Sequence, residues 1–254
     1  MSSEQEVKVK SLEKALKVLE CFLHNQSLGV SEITGELDIC KSSVYNILST
    51  FQSLDYLQQD PVTNRYSLGI KWCEYSRAVS DRFSIKKIAL PYMQEIANEE
   101  REHVYLGKAY KDEVLYLESI HPVENIELMR SLMGLRVKMY CTGIGKVLMA
   151  YLPEEEFESY CALPRTRFTE NTIIDSDKLR EEMQKIRRNG YALDDMEHEY
   201  GIKSVAVPIF DSHGGVCAAL SISGPSLRFS PERISMLAEK LKSYAAKISS
   251  QIYQ

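Results

Sequence analysis

The sequence predicts an α+β protein in which a short N-terminal winged helix-turn-helix precedes a larger mixed domain. Three observations lead there. Two short helical patterns, Val30-Ile33-Leu37 and Val44-Ile47-Leu48-Phe51, lie only a few residues apart, as the two helices of a helix-turn-helix do. Two brief strand-like runs, Tyr56 to Gln59 and Arg65 to Leu68, flank the turn-rich Asp60-Pro61-Val62-Thr63-Asn64, which makes a hairpin of wing size. In the remaining two thirds, strands interrupted by helices, with hairpins among them, favour α+β order over a doubly wound sheet.

Taken in order, Leu12, Ala15, Leu16, Leu19 and Leu23 recur at helical spacing behind Ser11, which is placed as an N-cap. From Ile70 to about Asn98 the pattern is helical in two pieces, with Pro91 opening or kinking the second. His103 to Tyr110 and Val114 to Ile120 read as a strand pair, Gly145 to Leu152 as a helix, and Ser176 to Asn189 as another closed by Gly190. Val205 to Phe210 and Val216 to Ser223 read as strands about Asp211-Ser212-His213-Gly214-Gly215, and Ser230-Pro231 opens a final helix. The expected domains are residues 8–69 for the winged helix-turn-helix, 70–83 for a linker helix and 84–254 for the larger domain.

Of the 254 residues, 44% are hydrophobic and 26% charged, enough apolar surface for a real core in a globular protein. The first residues lack a secretory pattern, and no apolar run approaches the roughly 20 residues of a membrane span, so a cytoplasmic protein without a membrane partner is expected. Six cysteines stand singly, with no C-x-x-C pair, which suits reduced thiols. The net charge is −5, and residues 1–80 carry eight basic and ten acidic side chains. This argues against indiscriminate attraction to nucleic acid, since that attraction comes mainly from Lys and Arg releasing counterions. DNA contact must rest on helix N-termini, hydroxyls and a few well-placed cations.

If Val44, Ile47, Leu48 and Phe51 face a core, Lys41, Ser42, Ser43, Tyr45, Asn46, Ser49 and Thr50 occupy the other faces of the same helix. Ser42 or Ser43 can cap the helix and present N–H groups to a phosphate, Lys41 adds charge, and Tyr45 and Asn46 can reach base edges. Arg65 at the hairpin edge is a further candidate. An ordinary solvated helix face would carry the same residue types.

These residues resemble the IclR-type bacterial transcription regulators. Ser11-Leu12-Glu13-Lys14-Ala15-Leu16 resembles that family's first helix, Lys41-Ser42-Ser43-Val44-Tyr45 its recognition helix, and Arg65-Tyr66-Ser67-Leu68-Gly69 its wing exit. Gly190, Asp194, Glu197, Ser204, Val205, Ala206, Ile209, Phe210 and Asp211 stand at the spacing of its signature, followed by Ser221-Ile222-Ser223-Gly224-Pro225. The likeness spans roughly residues 8–250. It implies a winged helix-turn-helix joined by a linker helix to a GAF-like effector-binding and oligomerisation domain, a homodimer or homotetramer on double-stranded operator DNA, and no catalysis. Two departures stand out: Tyr45-Asn46 replaces the His-Arg of many relatives, and Tyr140-Cys141-Thr142-Gly143 replaces a His-Ala-Thr-Ala-like run.

For the effector, Ser221 and Ser223 share a strand face with Cys217 and Ala219, while Leu220 and Ile222 take the other. Gly143-Ile144-Gly145 leads into the helix starting near Lys146, whose N-terminal end can receive an anion. The resemblance implies polar contacts to a small carboxylate from Gly143, Ile144, Asp194, Ser204, Ser221 and Ser223, and apolar walls from Met129, Val137 and Ile202. In that set Asp194 would accept a ligand hydroxyl or orient a water, because its carboxylate repels an acid. Strand serines also commonly bond neighbouring backbone, which is the structural alternative.

A repressor of a catabolic operon with an organic-acid effector is therefore expected, with a sensor acting through protein partners as the runner-up. Gly143-Ile144-Gly145-Lys146 lacks the residues of nucleotide-binding loops. Cys141 beside a helix N-terminus, with His198 or His213 as base, would make a thiol enzyme, but no catalytic signature surrounds it. The histidines lack H-x-x-x-H spacing. No metal and no cofactor are expected.

Overall fold

Residues 7–80, 84–122 and 136–252 are described in the computed structural model, and chain contacts separate two units, Met1–Arg82 and Phe83–Gln254. The α+β order holds.

The first unit contains α1 (Lys10–Glu20), α2 (Val30–Leu37), α3 (Lys41–Ser53), the hairpin β1 (Leu57–Gln59) and β2 (Tyr66–Leu68), and α4 (Lys71–Ser80). Val18, Phe22, Leu28, Ile33, Val44, Leu48, Leu57 and Tyr66 form its core. Asp38, in the left-handed conformation at φ 50°, ends α2 and lets the chain reverse into α3 within three residues. Leu28 pairs with Tyr66 through two backbone bonds of 2.8 and 2.9 Å and so adds a one-residue third strand to the wing. Gly69 is required where the wing meets α4, because a β-carbon there would lie 2.3 Å from the Asp55 carbonyl oxygen. Trp72 then donates to the Tyr56 carbonyl at 2.9 Å, and the Tyr56 and Tyr75 hydroxyls meet at 2.6 Å, fastening α4 to the wing.

Two expectations for α1 fail. The helix starts at Lys10 with Val9 at its N-cap, so Ser11 is already inside. Its apolar stripe is misassigned in part: Leu12, Leu16 and Leu23 are about half exposed, whereas Leu19 is buried as expected, together with Val18, Cys21 and Phe22. A 3-10 turn over Cys21–Leu23 brings Cys21 and Phe22 inward, and Leu12 and Leu16 fall outside the face that Val18 and Leu19 turn to the core.

The second unit is a six-stranded antiparallel sheet in the order β5-β4-β3-β8-β7-β6. Its strands are β3 (His103–Tyr110), β4 (Glu113–Ile120), β5 (Arg136–Lys138), β6 (Ala192–Asp195), β7 (Ile202–Phe210) and β8 (Val216–Pro225). One face packs on α5 (Ser84–Glu100) and α9 (Pro231–Ile252) through Val104, Leu106, Val205, Leu220 and Ile222. The other packs on α6 (Gly143–Ala150), α7 (Glu154–Cys161) and α8 (Ser176–Asn189) through Tyr105, Ala206 and Ala219. Alternate residues of single strands thus serve two cores, as the pleat requires. Gly190 closes α8 at φ 72°.

Three details depart from expectation. Pro91 lies inside a continuous α5 rather than opening it. Helix α6 begins at Gly143, not near Lys146. Cys217 does not share the face of Ala219: the β7–β8 register slips between Ile209 and Phe210, and Cys217 packs with the α5–α9 core while Val216 packs on the α6 side. A bulge inverts the alternation before Ala218. Helix α7 and strands β5 and β6 were not anticipated, being too short to show a period.

Candidate DNA-reading face and effector site

On α3, burial of Val44 and Leu48 with half-burial of Ile47 and Phe51 orients the helix. Lys41, Ser42, Tyr45, Asn46, Ser49 and Thr50 are exposed, and Ser43 is half-buried. Neither serine caps the helix. Cys40 holds the N-cap position, and its thiol contacts the hydroxyls of Ser43 at 3.0 Å and Ser42 at 3.6 Å. The Thr50 hydroxyl donates to the Asn46 backbone carbonyl at 2.7 Å, and Asn46 is exposed. Arg65, the candidate at the hairpin edge, donates to the Ser27 hydroxyl (3.0 Å) and carbonyl (2.8 Å) and to Glu32 (3.1 Å). Glu32 in turn accepts from the Gly29 N–H at 2.7 Å. The guanidinium therefore ties the wing to the start of α2.

In the second unit the cross-strand registers align a polar row. Asp194 pairs with Ser204, Ser204 with Ser223, and Ser223 with His103. The next row places Ala206 beside Ser221 and Ser221 beside Tyr105. Directly paired antiparallel residues project to one face, and this is the α6 face. Asp194, Ser204, Ser221 and Ser223 are all buried. The Ser223 hydroxyl donates to the Lys203 carbonyl at 3.3 Å, so part of its capacity is structural.

Helix α6 sets its N-terminus on these rows. Thr142 caps it, its hydroxyl accepting from the Gly145 N–H at 3.1 Å. The N–H groups of Gly143 and Ile144 precede the first intrahelical bond, which runs from Lys146 to the Thr142 carbonyl at 2.9 Å. A β-carbon on Gly143 would lie 2.8 Å from the Ser204 hydroxyl, and one on Gly145 only 2.2 Å from the Met139 carbonyl oxygen. The two glycines allow this close docking. Val137 is half-buried on the α6 side of β5, and Ile202 is half-buried two residues before Ser204. Met129 lies outside the described residues.

Sequence reading missed the charged support beneath this site. Lys146 is fully buried, bonded to Glu197, to the Leu193 carbonyl at 2.6 Å and to Glu182 at 3.2 Å. Burial opposes its charge, but Glu197 and Glu182 outweigh that and hold the ammonium above the usual lysine value. Asp194 accepts from the Glu197 N–H at 2.8 Å, and burial raises its carboxyl to about 7 against the pull of Lys146. His103, Tyr105 and Tyr116 were missed as well. The period of two through His103 and Tyr105 was available as a signal, since both share a face with Ser221 and Ser223.

The thiol-enzyme alternative fails. Cys141 is buried, donates to the Lys138 carbonyl at 3.4 Å, and is pushed up to about 12 by burial, with Asp194 and Glu197 adding to it. A separate cleft lined by Asp112, Lys138, Tyr140, Tyr160 and Arg165 contains none of the expected effector residues. Its Lys138 is paired with Asp112 at 2.6 Å.

Comparison with known proteins identifies the family. The profile of the IclR helix-turn-helix domain matches residues 11–61, and that of the bacterial transcriptional regulator IclR C-terminal domain matches residues 77–250. The HTH-type transcriptional regulator KdgR of Escherichia coli K12 is 33% identical over 245 residues, covering 96% of this chain and 93% of that protein. The Thermotoga maritima IclR crystal structure superposes with a TM-score of 0.80 at 32% identity, covering 96% of this chain and 99% of its own. An IclR homologue from Microbacterium hydrocarbonoxydans, crystallised with 4-hydroxybenzoate, superposes at 0.83 with 25% identity, covering 95% and 98%. Among the described residues no helix is long and apolar enough to cross a membrane. The chain belongs to the IclR family of bacterial transcriptional regulators and is a DNA-binding regulator, not an enzyme.

Proposed function

We propose that the protein is a repressor whose grip on operator DNA is set by a small organic acid bound between the N-terminus of α6 and the hydroxyl rows of β7 and β8. The observation that carries this reading is the docking of Gly143 against Ser204, which brings a helix N-terminus onto buried hydroxyls. Backbone N–H groups and the helix dipole suit a carboxylate, and Ser204, Ser221 and Ser223 suit its oxygens. Val137 and Ile202 supply apolar walls. The Microbacterium homologue's 4-hydroxybenzoate, itself an acid, supports the ligand class.

On the DNA side, Lys41 and Ser42 approach phosphate while Tyr45, Asn46 and Thr50 approach base edges; Arg65 positions the wing. Residues 8–69 act as the DNA-binding domain, 70–83 as the connection and 84–254 as the effector-binding domain, working in the cytoplasm where the chromosome lies. The exposed Val9, Leu12, Leu16 and Leu23 of the α1 region suit a second copy, and paired reading heads suit a homodimer or homotetramer on repeated half-sites. Acid binding then shifts the spacing of the paired heads. The test is a titration of the promoter fragment upstream of the protein's own gene, against scrambled duplex, with and without organic acids. Selective binding that an acid weakens is expected; equal affinity for both duplexes under every condition overturns the reading.

A further inference from the structure

On the face that α6 covers, Tyr105 is 2% exposed and its hydroxyl is buried without a hydrogen-bond partner among the described residues. Burying a hydroxyl without a partner is unfavourable, so such a group points to a ligand or to a cost that the fold bears for some other reason.

Position favours the ligand. Tyr105 pairs with Ser221 across β3 and β8 and packs in the same cluster as Cys141 and Ile144 at the start of α6. Its ring meets Tyr116 edge-on at 5.6 Å and stacks on His103 at 6.3 Å. His103 is itself held at 2.6 Å by His121, whose other ring nitrogen lies 3.0 Å from the Ser119 hydroxyl. The Tyr105 ring is thus fixed by neighbours while its hydroxyl is left over. Tyr116 next to it is buried as well, within electrostatic reach of Asp194.

We propose that Tyr105 determines effector specificity by donating its phenolic hydrogen to an oxygen substituent of the bound acid, while the acid's carboxylate sits at the N-terminus of α6. This rests on the effector reading above and names what the acid must carry: a hydroxyl or oxo oxygen away from its carboxylate. Burial pushes the Tyr105 phenol up to about 12, so it stays protonated and donates at every working pH.

The variant is Tyr105→Phe in the full-length protein, which keeps the ring and removes the hydroxyl. In ligand-free protein the melting temperature should rise by about 2–4 °C, because a desolvated, unpartnered group has gone. An unchanged or lower value means that the hydroxyl has a structural partner, and the proposal is wrong. In calorimetry with 4-oxopentanoate against pentanoate, and 4-hydroxybenzoate against benzoate, wild type should prefer the oxygenated member of at least one pair by about tenfold or more. Tyr105→Phe should bind both members of that pair alike. Discrimination that survives in the variant sinks Tyr105 alone. Wild type that binds none of the four acids sinks the effector reading and this inference with it.

Discussion

Gly143 and Ser204 are so closely apposed that a β-carbon on the glycine would stand 2.8 Å from the serine hydroxyl and 3.2 Å from the Ala206 β-carbon. Gly143→Ala should therefore cost about 1–3 kcal/mol of stability by overpacking and abolish acid binding. Removing the hydroxyl as well, in Gly143→Ala with Ser204→Ala, should recover part of the stability but not the binding. A double-mutant cycle by denaturant titration measures the coupling; strictly additive effects would show that the two sites do not touch.

Lys41 and Asn46 should separate affinity from specificity. Lys41→Ala is expected to weaken binding to all duplexes and lower the salt slope by about one, as the loss of one phosphate contact does. Asn46→Ala should relax discrimination at one base pair by about 1–3 kcal/mol with the slope kept. Fluorescence anisotropy against operator and single-base variants at several salt concentrations checks both.

Because Arg65 bonds to Ser27 and Glu32, Arg65→Ala should lower the stability of the DNA-binding unit by about 1 kcal/mol or more. Its operator salt slope should stay near that of wild type. A slope reduced by one full phosphate would return Arg65 to the DNA-contacting set.

Two buried groups give opposite pH dependences. Asp194 titrates near 7 in the folded protein against an ordinary 3.8, so its contribution is present below about pH 4 and lost as pH rises to 7. His103 is lowered to about 4 from 6.5, chiefly by burial, with His121 and Arg228 adding to it. Its contribution is present above pH 6.5 and lost as pH falls toward 4. Asp194→Asn should remove the first dependence and leave the second. Acid affinity should fall as Asp194 ionises above pH 7 and become flat in Asp194→Asn; calorimetry from pH 6 to 8.5 tells the two apart.

Lys146 joins α6 to Glu182 of α8 and to Glu197 after β6. Lys146→Ala leaves both carboxylates uncompensated and should cost about 3–5 kcal/mol. Lys146→Met with Glu197→Gln, which removes both charges of the tightest pair, should recover much of that loss. Thermal denaturation of the three proteins decides.

Much of this molecule is legible along the chain. The Gly190 stop, the Ser230-Pro231 start and the extents of β3 and α8 follow from local backbone chemistry: a residue tolerant of positive φ, a fixed proline φ, an alternation of period two. The two-helix spacing before Lys41 and the hairpin about Asp60 are local in the same sense, and they suffice to indicate a DNA-reading head. Tertiary packing decided what local rules could not. Which apolar stripe of α1 faces inward depends on the 3-10 turn at Cys21, and which face Cys217 takes depends on a bulge set by the neighbouring strand. Whether Arg65 is free depends on Ser27, 38 residues away. The buried ion cluster at Lys146 and the unpartnered Tyr105 hydroxyl likewise exist only because distant strands and helices meet. A residue's conformational preference is carried by its own backbone neighbourhood, whereas its solvation and charge state are set by whatever the completed fold packs around it.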